Sequence, residues 1–162
     1  MAITNDIGDY GESIFKTRLT EHYMFKIYFL GEKTPIEDFL VELNDTTHPY
    51  QFLVQVKSTE KGYNKKSGYV KARVSDFKRD ELIKRPLPTY VAGVDTVNEI
   101  VYICPAFDNS VSFSNGIPIK HPLSKTNPVI TLQTLNLLAD DVRDFWNSSH
   151  AFSYKQVYKS KL

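Results

Sequence analysis

The chain has 162 residues, 41% of them hydrophobic, 24% charged and 13% aromatic. A chain of this size buries one core, and its aromatic content excludes disorder, which requires low hydrophobicity and high net charge. Its one cysteine, Cys104, excludes an internal disulfide, and no run approaches the ~18 apolar residues of a membrane span. The opening MAITNDIGDYGESIF lacks the basic and apolar regions of a secretion signal. The expectation is a single domain over residues 1–162 in a reducing cytoplasm, with no membrane partner.

The formal net charge of +1 conceals a division. Residues 1–56 hold nine Asp and Glu against four Lys and Arg, while residues 57–85 hold ten Lys and Arg against four Asp and Glu. An acidic segment followed by a basic one suits a site that holds a cation beside a polyanion. It equally describes two solvated surfaces of opposite sign.

In chain order, Tyr10, Ile14, Phe15, Leu19 and Tyr23 recur at helical spacing, which predicts an amphipathic helix over 6–23. Met24 to Leu30 alternates, with Phe25, Ile27 and Phe29 on one face of a strand. DFLVEL (38–43) and FLVQVK (52–57) are short strand-like runs separated by turn residues, a hairpin. Period two sets Asp38, Leu40 and Glu42 on one face of the first strand and Gln55 with Lys57 on one face of the second, so polar groups from both can converge. EKGYNKKS (60–67) reads as a basic loop and Tyr69 to Val74 as a strand. Ser75 is an N-cap for a helix over 76–84 that Pro86 and Pro88 end. Thr89–Val94 and Glu99–Cys104 are further strands around a turn at 95–98, and 105–128 is an irregular crossing segment with room for a short strand. Leu132, Leu135, Leu138, Val142 and Phe145 mark a final helix, with Trp146 at the edge of the core.

Hydrolysis of a phosphodiester by metal catalysis needs oxygen ligands around Mg²⁺ and a nearby cation that stabilises charge or helps deprotonate water. A lysine two residues after a ligand on a strand meets this need, because both side chains share a face. In order and spacing, Gly11-Glu12 in the first helix, Asp38 at the start of DFLVEL, and Gln55-Val56-Lys57-Ser58 resemble the PD-(D/E)XK nuclease superfamily, in particular its Mrr-like members and related bacterial nuclease-like domains. The resemblance covers roughly residues 1–75; the later pattern is compatible but not specific.

The resemblance implies an α/β fold with a restriction-endonuclease-like core, a central mixed sheet flanked by helices. It implies an endonuclease dependent on Mg²⁺ or Mn²⁺ that acts on DNA in a restriction or defence setting. Asp38 would be the main metal ligand, Gln55 a neutral amide ligand and the Val56 carbonyl a third. Lys57 would be the catalytic lysine, and Glu12 would support the metal or a second water. Gln55 departs from the Asp or Glu standard at its position; an amide brings no negative charge and should bind metal more weakly, a deficit that Glu42 on Asp38's face is placed to offset. A catalytically inactive module that binds nucleic acid or a protein is therefore the alternative function.

Each residue also has a plainer explanation. Asp38 can start a strand after a turn, Glu12 can be a first-turn acid favoured by the helix dipole, and Gln55 with Lys57 can be the solvent face of an edge strand. The basic run Lys61, Lys65, Lys66, Lys71 and Arg73, extended by Lys78 and Arg79 and interleaved with Tyr63 and Tyr69, can follow a phosphate backbone or be a solvated surface. His22, His48, His121 and His150 lack zinc spacing, and Cys104 within an apolar strand reads as a small core residue. The chain is short for a separate target-recognition domain, which points to a homodimer or a larger partner subunit for specificity.

Overall fold

The computed structural model describes residues 4–31, 34–44, 48, 50–148 and 151–162; the expectation for His150 lies outside them. The alternating apolar runs become strands of one six-stranded sheet in the order β1 (Phe25–Phe29), β2 (Phe39–Leu43), β3 (Gln51–Thr59), β6 (Thr89–Asp95), β7 (Ile100–Pro105) and β9 (Pro122–Ser124). β3 and β6 run parallel and the other neighbours antiparallel, so the sheet is mixed and the fold is α/β. A small second sheet sets β5 (Tyr69–Val70) between β4 (Tyr63–Asn64) and β8 (Ile117–Pro118). The helices are α1 (Thr4–Thr20), α2 (Asp76–Ile83), α3 (Pro128–Asn147) and the short α4 (Ala151–Gln156). Among the described residues no helix is long and apolar enough to cross a membrane.

Period two sorts the large sheet into two cores. Phe39, Val41, Leu43, Phe52, Val54, Val56, Ala92 and Val94 pack with Ile14, Phe15 and Leu19 of α1 and with Leu135, Leu138 and Val142 of α3. On the other face Val91, Tyr102 and Cys104 meet Leu82 of α2, Phe113 and the small sheet's Val70 and Ile117. Each fully buried Leu, Ile or Phe contributes roughly 1.5–3 kcal/mol, so both clusters hold their helices firmly. Cys104 is a core residue as expected, its thiol pushed up to about 12 by burial.

Several expected boundaries shift for tertiary reasons. Tyr10 is half exposed, its hydroxyl donating to Glu99 at 2.6 Å, and Tyr23 lies beyond the helix. Phe29, expected beside Phe25, is 63% exposed at the end of the outermost strand β1, with its ring packed on Phe39. The strand expected over 69–74 carries ladder pairs only at Tyr69 and Val70; Lys71 to Val74 is not in a strand, yet Ala72 and Val74 are buried and Lys71 and Arg73 exposed. Leu132 is 40% exposed, off the buried stripe of α3. Ser75 caps α2 as read, accepting from the Lys78 backbone N–H, and Trp146 donates its indole N–H to the Gln51 carbonyl at 2.8 Å, tying α3 to β3.

The chain's end is tied down by a cluster that the sequence did not signal. The buried Asp141 accepts from Tyr90 at 2.7 Å and from Tyr154 and Tyr158 at 3.4 Å. Lys155 donates to the carbonyls of Ile83 and Arg85 at 2.9 and 2.6 Å, and burial lowers its ammonium to about 8.

Gly11 governs how α1 sits on the sheet. A Cβ there would fall 1.7 Å from Ser58 Oγ, whereas one at Gly8, a turn earlier, would meet nothing within 4 Å. In an open helix Gly→Ala stabilises by roughly 0.5–1 kcal/mol, so the two glycines should respond with opposite signs. Gly8→Ala should raise the urea unfolding midpoint. Gly11→Ala should lower it, by an overpacking cost of about 1–3 kcal/mol, and Ser58→Gly should restore part of that loss.

Candidate active site

The site forms where β2 stops. β2 pairs with β3 only as far as Phe39 opposite Val54, while β3 continues along β6 to Thr59. From Gln55 onward the edge of β3 formerly occupied by β2 is open. Asp38, one residue before β2, takes the vacant place: its Oδ2 accepts the Val56 backbone N–H at 2.7 Å and a Gln55 side-chain N–H at 2.9 Å. The same Gln55 nitrogen lies 3.4 Å from the Val56 carbonyl oxygen. N–H and C=O of one strand residue point to the same side, so the Val56 carbonyl also faces this opening.

A cleft of about 700 Å³ lies over the open edge, lined by Glu12 of α1, Asp38, Gln55, Val56 and Lys57, with Lys61, Lys71 and Lys78 among its other walls. The close seating of Gly11 on Ser58 brings the neighbouring Glu12 to it. The segment carrying Asp38 is held from behind: the buried Glu37 pairs with Arg85 at the end of α2, and its carbonyl accepts from Thr34 Oγ1 at 2.6 Å. Glu37 is itself buried, so this half-buried pair anchors the segment next to Asp38, a contact that sequence order alone did not single out.

The charges in the cleft are unbalanced in a consistent direction. Burial, joined by the charges of Asp38 and Asp9, raises the Glu12 carboxyl above its ordinary range. Burial also raises Asp38, outweighing the opposing pull of the Val56 N–H, Lys57, Lys78 and Gln55. Lys57 is shifted down, first by burial and then by Lys78. Acids pushed up and a lysine pushed down within one cleft mark a site whose desolvated charges lack full compensation.

The four residues singled out for catalysis, Glu12, Asp38, Gln55 and Lys57, therefore share one cleft. Lys78, counted in sequence with the basic run and not with the catalytic set, joins them from α2. Glu42 does not: it faces Gln51, whose amide donates to it at 3.3 Å, and it does not line the cleft. Arg79 is likewise removed from the basic run, because its guanidinium donates to the carbonyls of Ala106, Asp108 and Val111 and stacks over Phe113. Lys61 and Lys71 line the cleft; Arg73 lines a neighbouring recess; Lys65 and Lys66 occupy the hairpin turn outside both.

Among the described residues no group of three His, Cys, Asp or Glu side chains gathers to hold a metal. The oxygens that do converge are a carboxylate, a backbone carbonyl and an amide. Gln55 is 4% exposed and its Oε1 is buried with no hydrogen-bond partner. Such an orphaned acceptor costs about 1–3 kcal/mol. Turning the amide over would direct this oxygen toward Asp38 and the Val56 carbonyl, an all-oxygen set of the kind a hard divalent cation prefers.

A pH dependence follows from Asp38. A carboxyl with a raised value in the folded state favours folding while protonated and loses that contribution as pH rises through the folded value. Wild-type stability relative to Asp38→Asn should therefore fall as pH rises from the ordinary aspartate range through the raised folded value. Urea unfolding across that range checks it; a relative stability that climbs with pH would contradict the burial argument.

No family model matches the chain, and no curated protein or solved structure matches it either.

Proposed function

We propose that this chain is a divalent-metal-dependent nuclease that hydrolyses phosphodiester bonds in DNA, built on a restriction-endonuclease-like core. The observation that carries the reading is the meeting of Asp38, Gln55, the Val56 carbonyl and Lys57 at the open edge of β3, in one cleft with Glu12. Order and spacing suggested that set, and the end of β2 supplies a physical reason for it. The adjoining cations Lys61, Lys71 and Lys78 support a polyanionic substrate.

Mg²⁺ or Mn²⁺ would be held by Asp38, Gln55 Oε1 and the Val56 carbonyl, with Glu12 beside them. The chemistry such a cation supplies is neutralisation of phosphoryl charge and acidification of a water molecule. The chain's own groups do the rest. Lys57, its ammonium disfavoured by burial and by Lys78, gives up its proton more readily than an exposed lysine and is suited to proton transfer at Nζ. Lys78 supplies a second cation against charge that develops on the phosphoryl oxygens. Glu12, raised by burial and by Asp38, is suited to exchange a proton at its carboxyl.

One observation favours the alternative of a binding module that no longer cuts. The Gln55 amide already donates to both Asp38 and the Val56 carbonyl, so these oxygens have a partner without a cation.

Supercoiled plasmid and linear single-stranded DNA, incubated with Mg²⁺, Mn²⁺ or EDTA, separate the two. The nuclease reading expects metal-dependent cutting that falls by about 10²–10³ in Lys57→Ala and is lost in Asp38→Ala, with both variants folded. Cutting at the wild-type rate by both variants would show the site to be misassigned, and binding without cutting under any metal would establish the module.

A further inference from the structure

Beside the cleft lies a second recess of about 510 Å³, lined by Lys61, Asn64, Ser67, Lys71, Arg73 and Asn115. Its walls carry three cations and no carboxylate, whereas the cleft mixes both signs. Among the described residues, no ion pair occupies Lys61, Lys71 or Arg73. Like charges brought together without partners repel unless an anion compensates them.

The fold builds this arrangement instead of leaving it to flexible side chains. Ala72 and Val74 are buried in the second core, and alternation turns Lys71 and Arg73 outward together. The Lys71 backbone N–H donates to the Gly62 carbonyl at 3.0 Å and the Val74 N–H to the Phe113 carbonyl at 3.2 Å, which fixes both ends of the run. Asn64 Oδ1 accepts the backbone N–H groups of Lys66 and Ser67 at 2.9 and 3.3 Å, so its amide nitrogen remains available as a donor. Gly116 allows the opposite wall to close: its φ is +119°, and a Cβ there would fall 2.2 Å from the Val70 carbonyl oxygen.

Lys61 and Lys71 line both the recess and the cleft, so the two share a wall. We propose that this recess is a second phosphate subsite, which grips the backbone of the strand whose phosphodiester lies in the cleft, and that the substrate is consequently a polynucleotide chain. The proposal rests on the nucleic-acid reading of the cleft. A mononucleotide carries its charge at one end and fills one of the two positions; a chain offers linked phosphates to both. Arg73, with a forked planar donor set, and the Asn64 amide are the groups that would hold the second phosphate without touching the first.

The test is fluorescence polarisation in EDTA, with a labelled single-stranded oligonucleotide competed by a mononucleotide, over a range of salt. The oligonucleotide should bind at least tenfold more tightly than the mononucleotide. Arg73→Gln and Asn64→Ala, both at exposed positions, should weaken it severalfold to tenfold. Arg73→Gln should also flatten the salt dependence by about 0.7 in slope, the loss of one phosphate contact on a single strand. Lys65→Gln removes the same charge outside the recess and should weaken binding much less. No oligonucleotide binding, no preference over the mononucleotide, or equal losses in Arg73→Gln and Lys65→Gln would each overturn the subsite. Metal-dependent cutting of plasmid with unchanged binding in Arg73→Gln would sink the subsite and spare the nuclease. Binding lost in Arg73→Gln, without cutting in any metal, would do the reverse.

Discussion

The site depends on Asp38 standing in for a missing strand. Where β2 ends, the Val56 N–H would otherwise be left without a partner, and a buried backbone donor in that state costs about as much as a lost hydrogen bond. Asp38 Oδ2 fills the vacancy and thereby fixes its own position, the direction of the Val56 carbonyl and the seat of Gln55. The cost is a partly desolvated carboxylate, which burial holds above the ordinary aspartate range. A carboxylate held in this way at the fork of two strands is more than a strand-starting residue, because a merely solvated aspartate would face water and would not reach into the ladder.

The division of charge along the sequence acquires a spatial meaning from the topology. The acidic first segment contributes α1 and the start of β2, and the basic segment contributes the far end of β3, two of the small sheet's three strands and α2. Both meet at the open edge of β3, so Glu12 and Asp38 face Lys57 and Lys78 across one cleft, and the cations beyond it continue onto the recess. Two independent solvated faces would have kept the signs apart. The same packing explains which cations remain free for a ligand: Arg79 and Arg85 are bound into the structure, and Lys155 is buried against backbone carbonyls.

Much of this was legible because the large sheet obeys period two. The hairpin of 38–43 and 52–57, the faces of Asp38 and of Gln55 with Lys57, the Ser75 cap and the final helix all follow from local patterns that tertiary contacts reinforce. What was not legible is set by packing over long distances. The strands of the small sheet are two residues each, and Gly116 lets β8 approach Val70, which no local propensity encodes. Lys78 and Arg79 are equivalent in sequence, but adjacent helix positions point about 100° apart, and docking of Arg79 on Phe113 decides that Lys78 faces the cleft. Glu42 was a reasonable compensating acid by face alone; the register placed it opposite Gln51, at the far end of β2 from Asp38. Asp141 with its three tyrosines joins residues from β6, α3, α4 and the tail, a contact that spacing in one dimension cannot show.

The proposed function requires that the oxygens of Asp38, Gln55 and Val56 form a cation site despite the neutral amide. The most direct measurement is an anomalous difference map from crystals grown with Mn²⁺. A cation site there gives a peak between the Asp38 carboxylate, the Val56 carbonyl and a Gln55 amide turned so that Oε1 faces the ion. A map with no peak there, and with Gln55 still donating to Asp38, would contradict it.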